Sequence, residues 1–228
     1  MHRYRSTALA ASLLLACAGS QAADIAWSLG PTFNGASGQL GILTNGTLVE
    51  AVNLAGAPGA SLVVDPAGLN IAFTTVNSGF FGASWGSATG GGNTDPGWAA
   101  ILNTFEWNSG SDVTAAGFLG GLTAGHQYQV QFFAARSDCC GTRTSTFGDG
   151  AGHLSAPVSG GSYTSVVGVF TADAASQTVQ FFDSTHNPIL NAYVLRDVTP
   201  AVPEPGTLAL TLAGLTALAG MARRRTAG

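Results

Sequence analysis

The chain contains no lysine. All eight of its basic residues are arginines, and five of them (Arg3, Arg5, Arg223, Arg224 and Arg225) sit at the two extremities. Residues 23–201 keep only Arg136, Arg143 and Arg196 against eleven acids, a formal charge of −8. So few cations on an acidic body exclude nucleic acid and anionic lipid surfaces as partners, because both are held by clusters of basic side chains. Cysteine is nearly as scarce. Of three, Cys17 falls near the N-terminus, and Cys139 and Cys140 are adjacent. Adjacent cysteines cannot staple distant strands and lack the ligand spacing of a zinc site. In an oxidising compartment they form a vicinal disulfide that clips one loop, or they remain thiols. Long helical periodicities are also missing, and no run of eighteen apolar residues occurs.

What is present divides the chain into three parts. Arg3 and Arg5 precede an apolar stretch from Ala8 to Ala18, and Ser20-Gln21-Ala22 offers small residues for cleavage. This is the layout of a secretory signal peptide over residues 1–22, forming a signal helix. Leu14-Leu15-Ala16-Cys17 is close to a lipoprotein signal, although Leu15 is bulky for its position. At the other end, Val202-Pro203-Glu204-Pro205 precedes an uncharged run, Thr207 to Ala222, and then Arg223, Arg224 and Arg225. As a helix that run spans about 24 Å, short against a hydrocarbon core of about 30 Å. The arginines would keep the tail end cytoplasmic. Motif, short transmembrane helix and basic stop together make a processed sorting signal over 202–228, with an ordinary single-span anchor as the alternative.

Residues 202–228 resemble the PEP-CTERM sorting signal, also known as the ice-binding protein C-terminal domain. The resemblance implies a Gram-negative exported protein, processed by an exosortase and transiently anchored in the inner membrane. Its destination would be the cell surface or an extracellular matrix, in the company of exopolysaccharide. Regular threonine arrays are absent, so ice binding is not inferred from the name.

Between the signals, residues 23–201 have the size of one domain. Glutamines alternate with Tyr128, Val130 and Phe132 across 126–132, as in a strand with one wet and one buried face. Further strands are expected at 25–29, 69–76, 113–119, 165–170, 178–182 and 189–195. Asn45-Gly46 between 40–43 and 48–52 predicts a hairpin. One short helix, 98–105, is opened by Asp95-Pro96. Short strands and glycine-rich turns predict an all-β fold, an antiparallel β-sandwich. Leu119 to Val130 resembles the tyrosine-corner segment of fibronectin-type sandwiches. The wider pattern, from the Trp27 strand to "ILNAYVLRDV", resembles the galactose-binding-like jelly rolls of secreted bacterial proteins.

Chemistry is sparsely signalled. Gly82-Ala83-Ser84-Trp85-Gly86 fits the nucleophile-elbow pattern, but in a chain of 32 glycines and without an α/β context it reads as coincidence. His126, His153 and His186 lack paired metal spacing, and Glu106 and Asp112 flank a loop. No catalytic residue and no metal site are assigned. The most suggestive group is Arg136, Asp138, Arg143 and Asp149 around the Cys139-Cys140 loop. With Trp85 and Trp98 as apolar platforms, these side chains would bind sugar hydroxyls, or the acids a calcium ion. The bland alternative pairs the arginines with the acids and buries the tryptophans. The expected function is a non-catalytic, exopolysaccharide-associated glycan-binding protein. A structural matrix component without a ligand and a secreted hydrolase remain as alternatives.

Overall fold

The computed structural model describes residues 23–33, 41–54, 61–64, 70–76, 84–87, 96–107, 115–136, 143–183, 188–201 and 211. The chain folds into strands β1 (Ala26–Thr32), β2 (Thr47–Leu54), β3 (Ser61–Val64), β4 (Asn70–Val76) and β5 (Ser84–Ser87). Helix α1 (Pro96–Leu102) follows, then β6 (Thr104–Trp107), β7 (Ala115–Leu119), β8 (Gln127–Phe133), β9 (Thr144–Gly148) and β10 (Val158–Ser159). The series closes with β11 (Thr164–Thr171), β12 (Gln177–Phe182), β13 (Ile189–Leu190) and β14 (Ala192–Asp197). A seven-stranded sheet runs β1-β11-β8-β14-β2-β4-β3, a four-stranded sheet β10-β9-β12-β7, and a three-stranded sheet β13-β6-β5. All pairings are antiparallel except β2 with β4, which is parallel and corrects the expectation of a purely antiparallel sandwich.

Two cores follow from period-two alternation along the strands of the large sheet. On one face, Val52 and Leu54, Tyr128, Val130 and Phe132, and Tyr193 and Leu195 meet Leu119, Phe147, Val179 and Phe181 of the four-stranded sheet. This is the sandwich interior. Trp27 enters it over Gly168, its antiparallel partner; a Cβ there would lie 2.7 Å from the indole ring. On the opposite face, Ala51, Phe133, Ala192 and Val194 pack under Trp98, Ile101 and Leu102 of α1, with Phe33 and Ile42. The face expected to be wet is therefore partly roofed. Gln131 is buried there, donating from Nε2 to Gly41 O (2.7 Å) and Ser165 Oγ (2.9 Å) and accepting from Leu43 N (2.9 Å).

That roof explains two differences from the sequence expectations. Residues 41–45 form no strand, so the Asn45-Gly46 hairpin does not exist. Gln131 ties 41–43 onto the sheet, and β2 takes β14 and β4 as its neighbours instead. Gly46 has φ +77° and lies so close to Asp197 O (2.2 Å from a built Cβ) that no other residue fits. The helix is also displaced: it ends at Leu102, and 104–107 continue as a strand. Asn191 enforces the change, donating from Nδ2 to Leu102 O (3.5 Å) and Thr104 O (2.9 Å) and accepting from Ala135 N (2.7 Å). It also splits the strand expected at 189–195 into β13 and β14.

The tyrosine corner is formed. Thr123 N donates to the hydroxyl of buried Tyr128 at 2.8 Å, fastening the loop before β8 to the strand itself. Tyr128→Phe is expected to cost about 1 kcal/mol. A lower urea midpoint at unchanged slope would register it, and an unchanged midpoint would show that the corner contributes nothing.

The signal helix, the transmembrane helix apart from Thr211, and Val202, Pro203, Glu204, Pro205, Arg223, Arg224 and Arg225 lie outside the described residues. Among the described residues, no helix is long and apolar enough to cross a membrane.

Candidate functional site

The group expected around the Cys139-Cys140 loop is not one site. Asp138, Cys139 and Cys140 lie outside the described residues, as does the side chain of Trp85, whose backbone is in β5. Arg136 leaves the end of β8 half-buried, its guanidinium carbon 4.5 Å over the centre of the Phe105 ring. Its backbone N–H donates to Gly160 O (2.9 Å), and Gly160 N donates to Arg143 O (2.8 Å), so Gly160 lies between the backbones of the two arginines. Asp149 does not join them. It follows β9 at the far end from Arg143, about 20 Å along the strand. Trp98 is fully buried, its ring 5.1 Å from Phe33 and 4.9 Å from Phe133 centre to centre. It cannot present a face to a sugar; its hydrophobic area was recruited by the second core.

Asp149 instead organises the N-terminal corner. Its carboxylate is fully buried and accepts from Ile25 N (3.1 Å), Ala151 N (2.8 Å), His153 N (3.2 Å) and the His153 ring at 2.6 Å. Burial raises the affinity of this carboxyl for its proton. The N–H groups of Ile25 and Ala151 and the His153 ring outweigh that effect and hold it below the ordinary value. The bond from Asp149, aided by the charges of Asp149 and Asp24, pushes His153 up. Gln177 completes the corner, its amide accepting from Ala23 N and donating to Ala23 O, both at 3.0 Å. Asp24, Asp149 and His153 place three metal-ligand atoms within 4.8 Å of one another. The lone pairs of Asp149 are already engaged by four donors, which makes this corner a lock on the chain's entry into β1.

The surface best suited to a ligand is the outer face of the four-stranded sheet. Along β12, Val179 and Phe181 point into the core, leaving Thr178, Gln180 and Phe182 outward. Thr178 pairs with Phe118 and Gln180 with Ala116 on β7; Phe182 pairs with Thr146 on β9. Phe118 is 64% exposed and Leu154, beside Gly148, 53%. Two open apolar side chains thus flank a flat array of threonine and glutamine, and the described strand residues of this face carry no charge. The expectations from sequence passed over Phe118. The two residues are out of phase on β7, and with Leu119 turned into the core Phe118 faces outward.

The remaining polar groups serve the frame. Ser84 lies within β5, paired opposite Trp107 in a regular antiparallel ladder, and not at a strand-to-helix turn. Glu106 sits buried in β6, where a loop was expected. Tyr193 donates to Glu50 (2.9 Å); burial pushes Glu50 up, and burial with the charges of Glu50 and Glu106 pushes the Tyr193 hydroxyl well above its usual range. His126 bonds Asp197 at 2.7 Å, and with Thr199 holds that carboxyl down at about 2. Arg196 is buried, donating to Thr44 O and Gly46 O.

Residues 201–225 match the family model of the PEP-CTERM protein-sorting motif. No curated protein matches the chain. Among solved structures, it is similar to Bacteroides uniformis beta-glucuronidase 2 covalently bound to cyclophellitol-6-carboxylate aziridine, at 13% identity and TM-score 0.45. That match covers 65% of this chain and 17% of the glucuronidase. The plant receptor-like kinase ANX2 is similar at 8% identity and TM-score 0.45, over 65% of this chain and 47% of that one. The ANXUR2 extracellular domain of Arabidopsis thaliana is similar at 8% identity and TM-score 0.36, over 65% and 48%. The match thus spans less than half the length of each of these three structures.

Proposed function

We propose that this exported protein, carrying a motif for sorting by exosortase, is a non-catalytic glycan-binding component of the cell surface or extracellular matrix, associated with exopolysaccharide. Residues 23–201 form its mature domain, a sandwich of jelly-roll type, and residues 207–222 hold it in the inner membrane only until it is sorted. The observation that carries the reading is Phe118, an open aromatic face on an uncharged sheet. An aromatic ring stacks on the C–H face of a sugar while neighbouring threonine and glutamine bond its hydroxyls, and neutrality suits an uncharged polymer.

A binding titration against exopolysaccharide from the producing cell tests this. Phe118→Ala is expected to weaken binding about tenfold or more with the fold intact, as loss of a central aromatic contact does. Equal binding by Phe118→Ala would remove this face from the account. A complete absence of binding by the native protein would favour a purely structural matrix role, with the exposed edge strand β7 as its contact.

A further inference from the structure

The sorting motif starts almost where the folded domain stops. Val198 N donates to Gln127 O (2.8 Å), Gln127 N to Thr199 Oγ1 (2.9 Å) and Thr199 N to Asp197 Oδ1 (2.9 Å), so the chain is fastened to the sandwich through Thr199. Only Pro200 and Ala201 separate that clasp from Val202, the first residue of the Val-Pro-Glu-Pro motif. Three fully extended peptide steps reach about 11 Å, so whatever grips the motif comes up against the end of the sandwich. Proline at 200 stiffens this short tether further.

We infer that the end of the sandwich around Thr199 is a docking surface for the enzyme that reads the sorting motif. The surface is set by contacts that surround the exit point. Gly46 packs against Asp197 O, and Gly125 N donates to Ala172 O (2.7 Å). The loop 120–125 is held by the Tyr128 corner. Exposed residues of this end include Gly46, Leu48, Val49, Gly121, Thr123 and Ala124. The charged groups among the described residues here are the buried Arg196, which donates to Thr44 O and Gly46 O, the mutually bonded His126 and Asp197, and the exposed Asp173. With few exposed charges among these described residues, a second protein can approach a peptide held this close at little cost in desolvated charge. The inference rests on the motif and on the tether, and is independent of glycan binding.

Conversion of the full-length precursor to its shortened form, followed by pulse-chase in an exosortase-carrying host, tests it. Ala124→Glu places an uncompensated charge in the contact and is expected to slow conversion about tenfold. Leu29→Glu, on the β1 edge, should convert at the native rate. An insertion of about ten Gly and Ser residues after Ala201 should restore conversion of Ala124→Glu by carrying the motif clear of the surface. Deletion of Pro200 and Ala201, which leaves the fold untouched, should also slow conversion. Native rates for both Ala124→Glu and the deletion would overturn the proposal, showing that the β14 end peels away before the motif is read. So would a failure of the insertion to rescue an Ala124→Glu precursor that resists proteolysis like the native chain.

Discussion

Trp98→Ala is expected to destabilise the domain by about 3–5 kcal/mol, the cost of deleting a fully buried indole from a packed core. For a domain of this size that corresponds to a fall in melting temperature of roughly 10 °C. The cause is local. Trp98 sits between Phe33 and Phe133 and is the largest side chain joining α1 to the second face of the seven-stranded sheet. Without it, Phe33 and the segment after β1 lose their main apolar partner, and the cavity cannot collapse because the sheet beneath is fixed by its ladder. Glycan affinity of the folded fraction should be unchanged. Calorimetry and a binding titration on the same preparation separate the two effects; weakened binding with native stability would return Trp98 to the ligand surface.

Asp149→Ala is the second large loss, about 2 kcal/mol, because it leaves the buried Ile25 N–H without its acceptor and also removes the acceptor of the Ala151 and His153 N–H groups at the exposed rim of the corner. Its pH dependence is distinctive. The Asp149 carboxyl is held below its ordinary value, so its contribution is complete above about pH 4 and disappears as the pH falls through that lowered value. His153 is pushed up, so its share is complete below about pH 6.5 and disappears as the pH rises through its raised value. The stability difference between native and Asp149→Ala proteins should therefore be greatest between about pH 4 and 6.5. Urea denaturation at pH 3, 5.5 and 9 would show it; a difference that stays constant from pH 5.5 to 9 would mean that the His153 bond contributes nothing, and one that does not fall at pH 3 would contradict the lowered Asp149 value.

Much of the frame was legible in the sequence because strand alternation is a local property. The strands at 127–133, 164–171 and 177–182 and the tyrosine corner follow from period two and from the order of Thr123, Gly125 and Tyr128. The failures came where a distant segment decides. Asn45-Gly46 has the chemistry of a hairpin, yet Gln131, nearly ninety residues away, draws 41–43 onto the sheet. Glutamine on a polar face gives no hint that a loop will cover it. Asn191 likewise ends the helix and splits a strand through contacts with 102–104 and 135. The candidate site suffered from the same blindness. Proximity in sequence grouped Asp149 with Arg136 and Arg143, but β9 runs between them and carries them to opposite ends. Tryptophan drew attention as a sugar platform, whereas burial favours it for cores. The open aromatic is Phe118, recognisable only once Leu119 is known to face inward.

The most direct measurement is hydrogen–deuterium exchange of the protein with and without exopolysaccharide from the producing cell. The account predicts slower exchange at 115–119 and 177–182, the strands beneath Phe118, Thr178 and Gln180, with little change at Arg136 and Arg143. Protection confined to the segment around Arg136 and Arg143, or none at saturating polysaccharide, would contradict it.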